Sequence, residues 1–158
     1  MQTNEAFLEY ESVRHRLPAV SEIGQCLHLS NLEDLIDEID VFLLDAFGVL
    51  NIGNTAIEGV PERVSKLQSI GKRVIVVSNA GGFPHALLMK KYADLGYNFD
   101  TEDVITSRKA LLRGLSELPT QKYGLMATKS LGRADLENIN VTYLSENIID
   151  YDNSDAFL

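Results

Sequence analysis

The sequence predicts an α/β fold with a parallel sheet layered between helices. Two short, almost wholly apolar runs carry this expectation: residues 41–44 (VFLL) and residues 73–77 (RVIVV, after its arginine). A helix-like stretch separates them, and each run ends in polar residues and glycines. Strand, helix, strand in that order is a βαβ unit, whose crossover is right-handed in nearly all cases. Unbroken apolar strands suit a sheet buried on both faces.

The elements follow in order. Residues 3–16 read as a helix ended near Pro18. Ser30, Asn31, Leu32 and Glu33 match a capping box, and Leu32, Leu35, Ile36 and Ile39 recur at helical spacing. Residues 41–44 form the first strand, and NIGNTAIEG (residues 51–59) is a loop. Val60 and Pro61 open a helix with Val64, Leu67 and Ile70 on its inner face and Gly71 as its C-terminal cap. The second strand ends in Ser78, Asn79, Ala80, Gly81 and Gly82, and a third helix runs from about Pro84 to Leu95, with Tyr92 and Tyr97 packing around its end. Val104 and Ile105 are a short strand, and Ser107 caps a helix from Arg108 to about Leu118. Residues 123–127, 141–144 and 156–158 read as further strands. Because the sequence stops on an apolar strand, it is expected to be a fragment of a longer protein, with an edge strand as the alternative.

Composition narrows the function. The chain has 158 residues, enough for one domain or one and part of a second, and a formal net charge of −9. Nucleic acids and anionic membrane surfaces require clustered Lys and Arg, and the longest basic run is Lys90-Lys91. No apolar run approaches the roughly 18 residues a bilayer requires. The N-terminus is polar and acidic, unlike a signal peptide, so a cytoplasmic location is expected. Cys26 is the sole cysteine and reads as a buried structural thiol. His15 and His28 read as structural, and His85 as a surface residue at a helix start.

The chemistry concentrates at the strand ends. In a parallel sheet, Asp45 and Ser78-Asn79 lie on the same edge, where open α/β sheets bind ligands. A carboxylate at a strand tip can attack an electrophile, coordinate a hard cation or cap the following turn. A hydroxyl, an amide side chain and open backbone N–H groups before a helix suit a phosphate oxygen. Either feature alone reads as an ordinary turn; the two together, on adjacent strand ends of one βαβ unit, are much harder to dismiss as turns.

VFLLDAFGVLN (residues 41–51) resembles motif I of the haloacid-dehalogenase-like (HAD) superfamily, and VIVVSNAGG (residues 74–82) resembles its motif II. The likeness is to the type II-capped branch, which includes 4-nitrophenylphosphate- and nucleotide-type phosphatases, and it covers roughly residues 39–144. VITSRKALLRGL resembles the entry to the cap, and KYGLMATKSLGRADLENINVTYL its first strand and helix. The resemblance implies a three-layer parallel-sheet HAD-like (Rossmannoid) core at residues 41–106, preceded by a helical segment at 1–40. Residues 107–158 would begin an inserted α/β cap. It implies Asp45 as nucleophile, forming an aspartyl-phosphate, with Mg2+ held by the Asp45 carboxylate and the Phe47 backbone carbonyl. Ser78, Asn79 and Ala80 would hold the phosphate of a small phosphorylated metabolite.

Two departures qualify this expectation. Hydrolytic members usually carry an aspartate, the general acid/base, where this chain has Phe47; losing such a group costs about 10²–10⁴ in rate. The family's later lysine and metal-binding aspartates follow the cap, and Lys129, Asp135, Asp152 and Asp155 lie within the cap-like stretch or near its end, so none receives those roles. The chain by itself is therefore expected to catalyse little. A non-catalytic HAD-like phosphate-ligand binding or regulatory protein is the alternative, and an unrelated flavodoxin-like domain a weaker one. Pairing into a homo-oligomer through exposed strand edges stays open.

Overall fold

The computed structural model describes residues 2–19, 24–131, 133–144 and 148–158. The chain divides into two compact units, residues 1–34 and 35–158.

The first unit holds α1 (Thr3–Ser12), a 3-10 turn at Arg14–Arg16, and the start of a second 3-10 turn, Leu32–Leu35. The expected capping box is displaced by one residue. The Asn31 side chain, not Ser30, accepts the Glu33 N–H at 2.7 Å, while the Ser30 N–H donates to Asp34. The helix expected from Leu32 onward is one short turn, and Ile36 and Ile39 pack into the core of the second unit. Cys26 is exposed, contrary to expectation, because residues 24–29 form neither helix nor strand.

The second unit begins with a parallel sheet of β1 (Val41–Leu44), β4 (Arg73–Ser78) and β5 (Val104–Thr106), in the order β1-β4-β5. Between β1 and β4 lie a small hairpin, β2 (Asn51–Ile52) with β3 (Thr55–Ala56), and α2 (Val60–Ser69). The hairpin occupies what was expected to be a plain loop. α3 (His85–Asp94) joins β4 to β5. Gly71 adopts φ +83° after α2, the left-handed conformation a C-terminal cap requires.

Register fixes the faces. Phe42 pairs with Val74, Leu44 with Val76, and Val76 with Val104. These side chains pack with Val64 and Leu67 of α2 and Leu88 and Tyr92 of α3 into one core. The opposite face is not covered among the described residues: Val41 is 47 % exposed and Leu43 66 %, and Val77 and Ile105 are exposed too. The expectation of strands buried on both faces thus holds for one face only. Among the described residues β1 lies at the sheet edge, beside β4.

α4 (Ser107–Ser116) follows β5 directly, capped by the Thr106 hydroxyl, which accepts the Lys109 N–H at 3.1 Å; the cap falls one residue before Ser107. Leu112 and Leu115 of α4 pack against a second core of Tyr123, Leu125, Leu136 and Val141. This core belongs to a parallel sheet of β6 (Tyr123–Leu125), β7 (Val141–Tyr143) and β8 (Ala156–Phe157), ordered β7-β6-β8. A short helix, α5 (Ile148–Asp152), precedes β8. Among the described residues, no helix is long and apolar enough to cross a membrane.

Candidate functional site

Asp45 follows β1 immediately, and Ser78 closes β4. Because Leu44 pairs with Val76 in a parallel ladder, both residues emerge at the same sheet edge, within about one residue of level.

After Asp45 the chain turns sharply. The Ala46 carbonyl accepts from the Leu50 N–H (2.9 Å) and the Asn51 N–H (3.1 Å), and the Gly48 N–H donates to the Asn51 carbonyl at 2.9 Å. Gly48 has φ +81°, a conformation disfavoured for a residue with a side chain. Leu50 is fully buried, anchoring the turn, and the Tyr97 hydroxyl donates to its carbonyl at 2.6 Å. The turn leaves Phe47 70 % exposed. The Asp45 Oδ1 atom accepts the Ala46 N–H at 2.7 Å, which fixes the carboxylate and leaves its second oxygen available.

On the β4 side, the Ser78 hydroxyl accepts the Ala80 N–H at 3.3 Å and the Gly81 N–H donates to the Asn79 carbonyl at 2.7 Å. The loop leads into α3 through buried Pro84. It is also tied from the far side. Arg108, 6 % exposed, donates to the Gly81 carbonyl (3.3 Å), the Ala134 carbonyl (2.7 Å) and the Asp135 carboxylate (3.3 Å). The same carboxylate oxygen accepts the His85 N–H at 2.7 Å. Both His85 ring nitrogens are buried, so the histidine is not the surface residue its position suggested.

A cavity of about 250 Å³ opens between the two strand ends. Asp45, Phe47, Ser78, Asn79 and Ala80, the residues singled out from the sequence, all line it, together with Asn51, Phe83, Lys91 and Tyr92. A larger groove of about 440 Å³ runs beside α2 past Glu62, Lys66 and Gly96, with no carboxylate at a strand end and no glycine-rich loop.

Lys91 and Tyr92 were missed as site residues. They lie one helical turn beyond Leu88, itself a lining residue of α3, so the i, i+3, i+4 spacing from Leu88 was the available signal. The Lys91 ammonium sits 5.8 Å from the centre of the Phe83 ring and is the one cationic side chain among the described lining residues. Tyr92 lies edge-on to Phe99 (5.6 Å) and Tyr97 (6.4 Å), as expected of a packing residue. Burial pushes its hydroxyl above the ordinary tyrosine range; Ser78 opposes that shift and Asp45 adds to it.

The donors at this site suit magnesium. A free carboxylate oxygen and backbone oxygens are hard donors, and magnesium uses one or two carboxylates with waters and substrate phosphates. The pocket fits that pattern, with Asp45 its single carboxylate. Among the described residues, no three His, Cys, Asp or Glu side chains converge to enclose a metal by themselves.

Residues 42–142 match the family described as haloacid dehalogenase-like hydrolase. The chain is 37 % identical over 79 residues to phosphoglycolate phosphatase 1A, chloroplastic, of Arabidopsis thaliana, covering 50 % of this chain and 22 % of the relative. It is 28 % identical over 115 residues to the 4-nitrophenylphosphatase of Schizosaccharomyces pombe, covering 71 % of this chain and 39 % of the relative. The chain thus spans about a fifth to two fifths of the length of these relatives. Among solved structures, a haloacid dehalogenase-like hydrolase from Brucella suis superposes with a TM-score of 0.63 at 20 % identity, covering 83 % of this chain and 48 % of that one. A p-nitrophenyl phosphatase from Archaeoglobus fulgidus does so at 0.59 and 22 %, covering 75 % and 44 %.

Proposed function

The chain belongs to the haloacid dehalogenase-like hydrolase family, and on that premise we propose that it is a magnesium-dependent phosphatase-type protein acting on a small phosphorylated metabolite. The observation that carries this reading is the convergence of Asp45 and the Ser78–Gly82 loop on one cavity at the ends of paired parallel strands.

In the proposed reaction an Asp45 carboxylate oxygen attacks phosphorus. A new O–P bond forms, the ester P–O bond breaks, and the leaving oxygen departs with the electron pair. Asp45 becomes an aspartyl-phosphate, which water then hydrolyses. The Ala46 N–H holds the other carboxylate oxygen and so orients the attacking one. The Ser78 hydroxyl, the Asn79 side chain and the N–H groups of the loop receive the phosphoryl oxygens. The Asp45 carboxylate and the Phe47 carbonyl would hold magnesium. Bound there, the ion offsets the charge between carboxylate and phosphate, the usual source of rate in phosphoryl transfer.

Phe47 has no proton to give, so the leaving oxygen takes its proton from water. Residues 107–158 form, on this reading, the opening part of a type II cap that shapes the substrate. On this reading turnover by this chain is slow, because Asp45 is the single carboxylate of the pocket and Phe47 stands where an acid/base aspartate is expected.

A second reading, a phosphate-ligand binding protein without turnover, draws on the same phenylalanine. Hydrolysis of 4-nitrophenyl phosphate with magnesium separates them. The catalytic reading expects weak activity, its loss in Asp45→Asn, and a rise of about 10² in Phe47→Asp, where an acid/base is restored. Activity that survives Asp45→Asn would remove Asp45 as nucleophile. Silence from every variant, with phosphate still bound, would favour the binding reading.

A further inference from the structure

Among the described residues, three side-chain polar atoms are buried without a hydrogen-bond partner: the two His85 ring nitrogens and the Tyr92 hydroxyl. Tyr92 differs from His85 in lining the Asp45–Ser78 cavity. The residue is 1 % exposed, and Tyr97 and Phe99 hold its ring edge-on. A buried hydroxyl that finds no acceptor opposes folding, and phenylalanine would fill nearly the same space without that cost. A tyrosine in this place therefore calls for an acceptor at the site.

Ser78 is the neighbour that fits. It lines the same cavity as Tyr92, whose hydroxyl makes no hydrogen bond in the structure. A serine hydroxyl has two acceptor lone pairs and one proton. The Ala80 N–H already occupies one lone pair of Ser78. If the Tyr92 hydroxyl fills the other, the serine proton remains free for an acceptor in the cavity.

Resting on the phosphate-site reading of this cavity, we propose that Tyr92 is a positioning residue, whose hydroxyl donates to the Ser78 oxygen and turns the serine proton toward an oxygen of the bound phosphoryl group. No covalent step is involved; Tyr92 acts through Ser78. The cost of the unpaired hydroxyl in the free protein is recovered when the anion draws the three groups together.

The test titrates inorganic phosphate, with magnesium, into the wild-type chain, Tyr92→Phe, Ser78→Ala and the double variant by calorimetry, and records ligand-free thermal unfolding for each. Tyr92→Phe should weaken phosphate binding about tenfold, on the scale of one hydrogen bond, while its unfolding temperature stays level or rises. The double variant should bind no more weakly than Ser78→Ala alone, because the two hydroxyls act as one unit. Unchanged affinity in Tyr92→Phe would overturn the proposal. So would fully additive losses in the double variant, or a fall in unfolding temperature large enough to mark a packing role. Normal phosphate binding by Ser78→Ala would overturn the phosphate-loop reading itself, as would a folded wild-type chain that binds no phosphate.

Discussion

Asp45 and Phe47 stand two residues apart around one tight turn, yet the first is held by a backbone N–H and the second projects into solvent. The sequence announces both, since a carboxylate after four apolar residues is conspicuous and Gly48 explains the turn. It announces Tyr92 less well. A tyrosine on the inner face of a helix looks like a core residue, and Tyr92 is one; that it also lines the cavity is visible only in the structure. That burial has a pH signature. Tyr92 and Tyr97 both have hydroxyls pushed above the ordinary value of 10.0, chiefly because burial disfavours the charged form. The folded chain thus prefers neutral tyrosines. Stability from this source is fully present below about pH 10 and is lost as pH rises from there through the folded-state values. Urea unfolding should show a midpoint that declines above about pH 10, with a shallower decline in Tyr92→Phe. Equal declines in both proteins would contradict this assignment.

At the scale of elements, β1, α2, β4 and α3 fall within a residue or two of their expected bounds, because apolar runs, Pro61, Gly71 and Gly96 punctuate them. The β2–β3 hairpin was hidden, since two-residue strands flanking Gly53-Asn54 show no alternation to read. The caps at Asn31 and Thr106 each lie one residue before or after the serine chosen from sequence, because any short polar side chain can fill that role. Gly124 in β6 shows a constraint only the packed structure reveals. An added Cβ would come within 2.8 Å of Leu144, 2.9 Å of Phe157 and 2.9 Å of Ser154. Gly124→Ala should destabilise the chain by about 1–3 kcal/mol through overpacking, measured as a lower urea midpoint at unchanged slope. A neutral result would show that these side chains can move aside. The Arg108–Asp135 link joins the loop before α3 to the 133–136 turn through half-buried hydrogen bonds, and nothing in the residue pattern foretold it.

Across the second unit, two parallel sheets with separate cores are joined through α4. Alternation could not tell one covered face from two: VFLL and RVIVV look the same either way, and only the observed exposure of Val41, Leu43, Val77 and Ile105 distinguishes them. The order of the β1-β4-β5 sheet, with β1 at its edge, did not by itself choose between the haloacid dehalogenase-like and flavodoxin-like readings; the family match over residues 42–142 did. The central claim is that Asp45 and the Ser78–Gly82 loop act together on a phosphoryl group with magnesium. Beryllium fluoride, which mimics a phosphoryl group on a carboxylate, tests it without requiring turnover. Fluorine NMR of the full chain should show a protein-bound beryllium fluoride signal that requires magnesium and disappears in Asp45→Asn. A bound signal that persists in folded Asp45→Asn, or none at all from the folded wild-type chain with magnesium present, would contradict the account.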